Sequence, residues 1–89
     1  MNHVSIRISG KVQGVYFRAS TKATAEKFGI KGFVRNESDG SVYIVAEGEE
    51  ESLKQFVAWC HHGPSHAEVS NVDLNEGPVQ GHTSFDIKR

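Results

Sequence analysis

Eighty-nine residues leave room for one small core, and 37% apolar with 24% charged residues is a globular composition rather than that of a disordered chain. A single domain over residues 1–89 is expected. Ten Lys and Arg against eleven Asp and Glu give a net charge of −1, which offers no general positive field to a nucleic-acid backbone or an anionic membrane. No apolar run exceeds five residues (Val42 to Ala46, Phe56 to Cys60), so neither a membrane span nor a secretion signal is expected. The single Cys60 precludes an internal disulfide, and with nothing pointing to export the expected location is a reducing cytoplasm, with no partner chain required and a monomer expected.

In chain order, His3 to Ser9 alternates with Val4, Ile6 and Ile8 on one side and Ser5 and Arg7 on the other, which predicts a half-buried first strand. A loop containing Gly10 and Gly14 leads into a helix on which Phe17, Thr21, Thr24, Ala25 and Phe28 share a stripe, with Gly29 as its left-handed end. Ile30 to Asn36 reads as the second strand, and Asp39-Gly40 as a tight hairpin turn into the third, where Val42, Ile44 and Ala46 alternate with Tyr43, Val45 and Glu47 up to Gly48. Glu49, Glu50 and Glu51 suit the positive end of a second helix, whose buried stripe is Leu53, Phe56, Val57 and Cys60 and which Gly63-Pro64 ends. Ala67, Val69, Val72 and Leu74 predict a fourth strand whose phase slips between Val69 and Val72, the sign of a bulge or bend. After a loop at Gly77-Pro78 and Gly81, Phe85 and Ile87 mark a short fifth strand. Two strand-helix-strand units joined by a hairpin predict an α+β fold, a ferredoxin-like split βαβ sandwich with both helices on one face of a mostly antiparallel five-stranded sheet.

The chemistry concentrates between Gly10 and Arg18. A glycine-containing loop between a strand and a helix N-terminus presents unpaired N–H groups and the positive helix end to an anion, and Arg18 can add a two-pronged contact to phosphate. Glycine spacing alone is weak, and by itself it favours a plain connection with a solvated arginine.

The segment Gly10-Lys11-Val12-Gln13-Gly14-Val15-Tyr16-Phe17-Arg18, however, resembles the first signature of the acylphosphatase family, Gly-x-Val-Gln-Gly-Val-x-Phe-Arg, at every fixed position. Gly32-Phe33-Val34-Arg35-Asn36, followed by Gly40, Val42 and Gly48, is similar to the second signature. Gly63-Pro64-Ser65 with Ala67 and Val69, and Phe85-Asp86-Ile87, carry the resemblance across essentially the whole chain. Tyr16 stands at the variable position of the first signature, and the family pattern does not ask for His61, His62 and His66. The resemblance implies a hydrolase that cleaves acyl phosphates to a carboxylate and inorganic phosphate, without metal or other cofactor. It implies that Arg18 binds the phosphoryl group and that the main-chain N–H groups of Gln13, Gly14, Val15, Tyr16 and Phe17 form much of a phosphate-binding loop. It implies that Asn36 orients the attacking water, and it implies the same two-helix, five-strand fold.

That chemistry is consistent with the residues themselves. The leaving carboxylate has a conjugate acid of pKa about 4, so no general acid is required. Neither guanidinium nor amide can take a proton at neutral pH, so water must be placed rather than deprotonated by these groups, with a substrate phosphate oxygen accepting the proton. The alternative from another class is a non-catalytic small-anion-binding or regulatory module, which would need the loop and Arg18 but not Asn36.

Other candidates read more plainly. Gly63-Pro64 separates His61 and His62 from His66 and no ligand spacing is recognisable, so no metal site is expected. Cys60 lies on the apolar stripe of its helix and reads as a core thiol rather than a nucleophile. Lys31-Gly32-Phe33-Val34 mimics part of an RNA-recognition strand, but Arg35-Asn36 lacks the further aromatic a stacking surface needs, so no nucleic-acid partner is expected. Glu49 to Glu51 read as a solvated helix start and Trp59 as packing.

Overall fold

The computed structural model describes residues Met1–Arg89. The elements run β1 (Asn2–Lys11), α1 (Phe17–Lys27), β2 (Lys31–Asn36), β3 (Val42–Gly48), α2 (Glu50–Cys60), β4 (Glu68–Gly77) and β5 (Phe85–Lys88). They form one five-stranded sheet in the order β4-β1-β3-β2-β5, antiparallel except where β5 lies parallel to β2. The alternation read from the sequence sets the layers. Val4, Ile6 and Ile8 of β1, Val34 of β2 and Val42, Ile44 and Ala46 of β3 are buried with Phe17 and Ala25 of α1 and Leu53, Phe56 and Cys60 of α2. Phe56 is fully buried, so its truncation to Ala would cost about 3 to 5 kcal/mol. Trp59 packs between Phe17 and Phe56, with ring centroids 5.6 and 6.4 Å away, and joins the two helices.

The predicted bulge in the fourth strand falls on Ser70, because Ser9 pairs with Asn71 and the next residue, Gly10, with Val69. Gly10 adopts φ +125°, and a Cβ there would lie 2.1 Å from the Glu68 carbonyl oxygen, so only glycine allows β1 to approach the bulge and leave the sheet towards α1.

Three expectations are adjusted. The connection between β2 and β3 is wider than a two-residue turn: Asn36 pairs with Val42, Gly40 N–H donates to Glu37 O, and the Asp39 carboxylate accepts from the Ser41 N–H and hydroxyl. These two Ser41 bonds, hydroxyl first, hold the Asp39 carboxyl below its ordinary range. β4 continues to Gly77, past its apolar pattern, because its main chain stays paired with β1 as far as His3. The third strand is buried on both sides near its end, whereas alternation placed Val45 and Glu47 outward. The loop after β4 folds over Glu47, which accepts from the N–H groups of Gln80, Gly81 and His82 and from His3 Nδ1 at 2.7 Å. Burial alone would raise the Glu47 carboxyl, but these donors outweigh it and hold the pKa at about 2.

No helix is long and apolar enough to cross a membrane.

Candidate active site

The segment from Val12 to Tyr16 connects the end of β1 to α1 at the end of the sheet where β2 finishes. Val12 is 1% exposed and anchors it to the core. Beyond it, φ is positive at Gly14 (+74°) and Tyr16 (+61°) but not at Val15, an alternation that turns successive N–H groups to one side as an anion-binding nest. None of the main-chain N–H groups from Gln13 to Phe17 donates a hydrogen bond within the protein. The nest therefore opens on the N-terminus of α1, whose dipole adds to its positive potential.

Arg18 lies in the first turn of that helix and donates from Nη1 to the Lys88 carbonyl at 3.2 Å. It faces no carboxylate within ion-pair distance. Arg7 and Arg35, by contrast, are both neutralised by Glu37, and Arg7 also by Asp39. Most of the Arg18 guanidinium donors thus remain available, and the β5 carbonyl fixes one edge of the group.

Asn36 ends β2 and lines the same cleft, about 400 Å³, with Val12, Gly14, Tyr16, Phe17, Arg18, Ala19 and Ile87. Its side-chain oxygen is buried and has no hydrogen-bond partner. A buried amide oxygen without a partner ordinarily costs about 1 to 3 kcal/mol, and here it stands beside an arginine and a set of free N–H donors. The cleft thus brings together Arg18 from one motif and Asn36 from the other.

Three contributions escaped the sequence reading. The Gln13 side chain donates both amide hydrogens, to Glu37 O at 2.8 Å and Ser41 O at 2.9 Å, so it ties the nest to the hairpin that begins immediately after Asn36. The Lys88 carbonyl holds Arg18, and Ile87 lines the cleft. A long amide among small loop residues was the available signal for Gln13; a main-chain carbonyl leaves none.

A larger groove of about 600 Å³ lies at the opposite end of β1, between Met1–Val4, α2 and residues 74–79. Its one lysine or arginine, Lys54, is within 3.7 Å of Glu50, and it has no free N–H nest, so the smaller cleft is the one suited to an anion.

No group of three or more His, Cys, Asp or Glu side chains comes close enough to hold a metal, and His61, His62 and His66 do not converge. Cys60 is buried, and burial pushes its thiol up to about 12, the opposite of an activated nucleophile. The second aromatic that was missing beside Phe33 is supplied by β3: Tyr43 stands 6.2 Å from it on the sheet face away from the helices. The ring faces are already taken by the protein's own cations, Arg35 over Tyr43 at 4.8 Å and Lys88 over Phe33 at 4.3 Å.

Comparison with known proteins agrees with this geometry. The acylphosphatase family model matches residues 4–87. An acylphosphatase of Marinobacter nauticus is 50% identical over 86 residues, which cover 96% of this chain and 94% of that protein. One of Rubrobacter xylanophilus is 49% identical over 78 residues, 88% of this chain and 71% of that one. The crystal structure of acylphosphatase from Bacillus subtilis superposes with a TM-score of 0.97 at 36% identity over the whole of both chains. With both motifs at one cleft and this likeness along nearly its full length, the chain belongs to the acylphosphatase family.

Proposed function

We propose that residues 1–89 form one acylphosphatase domain that cleaves acyl phosphates by placing water rather than by acid–base chemistry. The nest from Gln13 to Phe17 and the Arg18 guanidinium hold the phosphoryl oxygens, and the Asn36 amide holds the attacking water in line with the acyl oxygen. A new P–O bond forms to water as the P–O bond to the acyl group breaks, the electron pair leaves with the carboxylate, and the water proton passes to a phosphoryl oxygen. The fixed positive potential of nest and arginine stabilises charge that spreads over the phosphoryl oxygens in the transition state.

The observation that carries this reading is the unpartnered, buried Asn36 oxygen in the cleft of a carboxylate-free arginine. An anion-binding module would use the nest and Arg18 and leave such an oxygen as pure cost. Nothing about the site or its relatives favours that alternative. The free, buried Cys60 and the small-molecule substrate suit a cytoplasmic monomer that needs no nucleic-acid partner.

Phosphate release from benzoyl phosphate in the presence of EDTA tests the function directly. Because neither an acid to protonate the leaving oxygen nor a metal to stabilise it is invoked, simple alkyl phosphates should be nearly inert, with kcat/KM lower by more than about 10³. Comparable rates on both substrate types, or activity abolished by the chelator, would contradict the mechanism.

A further inference from the structure

Tyr16 is held in a conformation that its side chain does not favour. Its φ of 61° and ψ of 22° lie in the left-handed region, and it is the one non-glycine residue of the chain with positive φ. It is also the N-cap of α1, where Asn, Asp, Ser or Thr would accept a hydrogen bond from the first turn, and it makes no such bond. Asparagine would relieve both costs, since it tolerates the left-handed region and caps helices. The fold receives little in return, because the Tyr16 residue is 83% exposed. An unfavourable backbone that carries an almost unburied aromatic ring points to a benefit outside the folded chain itself.

The surroundings of the ring indicate what that benefit is. Tyr16 lines the cleft of Arg18 and Asn36, and the remaining walls are largely apolar: Val12, Phe17, Ala19 and Ile87. A phosphoryl group seated on the nest and Arg18 leaves its acyl end towards the mouth, where the exposed Tyr16 and the 43% exposed Ile87 stand. We infer that the Tyr16 side chain is a specificity residue that selects acyl phosphates with a flat, apolar acyl group, such as an aromatic carboxyl, over small ones such as acetyl. This rests on the reading of the cleft as an acyl phosphate site, and it assigns to the ring a part separate from that of the Tyr16 N–H in the nest.

The test is the ratio of kcat/KM for benzoyl phosphate to that for acetyl phosphate in the wild type, Tyr16→Phe and Tyr16→Asn. Any disturbance of the nest lowers both rates and cancels in the ratio. Tyr16→Asn should lower the ratio roughly tenfold, the upper range for an aromatic contact, while its urea unfolding midpoint is equal to or above that of the wild type; Tyr16→Phe should keep the ratio. A ratio unchanged in Tyr16→Asn overturns the assignment, and so does a lowered midpoint, which would show that the ring serves the fold. Affinities for benzylphosphonate and methylphosphonate, read by NMR titration, separate this inference from the functional reading. A wild type that hydrolyses neither acyl phosphate refutes the hydrolase reading. The assignment of Tyr16 then stands or falls on whether Tyr16→Asn loses the preference for the benzyl compound.

Discussion

Replacing Gln13 by Met keeps the length of the side chain and removes both donors, which makes it a direct probe of how the two halves of the site are held together. The bonds lost run to Glu37 O and Ser41 O. Neither carbonyl becomes an orphan, because Glu37 O still accepts from Gly40 N–H and Ser41 O from Glu37 N–H. The stability cost is therefore that of two ordinary hydrogen bonds without an added desolvation penalty, about 2 kcal/mol, or a fall of roughly 10 °C in Tm for a domain of this size. The catalytic cost is larger. The nest keeps its shape through Gly14 and Tyr16, but nothing else bonds it to the hairpin after Asn36, and a displacement of about 1 Å between phosphoryl group and water costs on the order of 10²-fold. The expected result at a temperature where the variant is fully folded is a kcat for benzoyl phosphate lowered about 10²-fold, with the competitive inhibition constant of inorganic phosphate within about threefold of wild type. A kcat within about threefold of wild type would refute the clamp, and a phosphate affinity that falls in step with kcat would show that Gln13 shapes the nest itself.

Arg18→Lys should lose more than about tenfold in kcat/KM with the fold intact, because an ammonium cannot reproduce a planar fork held on one edge by the Lys88 carbonyl; retention of more than about a tenth of the activity argues against the role. Asn36→Ala should lower kcat strongly while phosphate inhibition is nearly unchanged, and the opposite pattern would make Asn36 a binding residue. Glu47→Gln tests the buried clasp under the loop after β4. With the folded pKa at about 2 against 4.5 for the free carboxyl, ionised Glu47 contributes roughly 3 kcal/mol that is fully present above about pH 5 and is lost as the pH falls towards 2. The difference in urea stability between wild type and Glu47→Gln should accordingly be largest near neutrality and narrow on acidification; a constant gap from about pH 7 to pH 3 would contradict the assignment.

Strict periodicity made most of this fold legible: β1, the first half of β3 and the α2 stripe are each buried on the side their apolar residues mark. The bulge at Ser70 left its mark as a slipped phase, because strict alternation cannot keep Val69 and Val72 on the same side, though the phase alone did not separate a bulge from a bend. Arg18 and Asn36 were legible for a different reason. Each sits in a run of fixed residues whose likeness to a family is hard to produce by chance, and no local rule would have brought an asparagine at the end of one strand to an arginine in another motif. What the sequence hid are contacts made through the main chain or across long separations. Glu47 looked solvated because alternation says nothing about a loop more than thirty residues away that folds over a strand end. The Gln13 clamp reads onto carbonyls, which every residue has, and Tyr16 gives no local sign that its backbone is left-handed.

The modest equipment of this site fits the reaction assigned to it. A hydrolase acting on alkyl phosphates must stabilise an alkoxide and so must bring a proton donor or a metal against the leaving oxygen, each with its own supporting shell. A carboxylate leaves unaided, so the catalyst has only to hold the phosphoryl group in a fixed positive environment and keep one water in line with it. In the proposed mechanism both tasks fall to features that the architecture brings to one end of the sheet. A strand-to-helix connection supplies free N–H groups and a positive helix end, the neighbouring strand β2 ends at the same level with Asn36, and β5, parallel to β2, brings a carbonyl to Arg18. The remaining requirement is that these parts keep their spacing while the substrate reacts, and the Gln13 side chain, which joins the nest to the residues that follow Asn36, is placed to meet it. In this reading a small domain with one core carries the chemistry with its own groups, provided that the parts are held by bonds rather than by bulk.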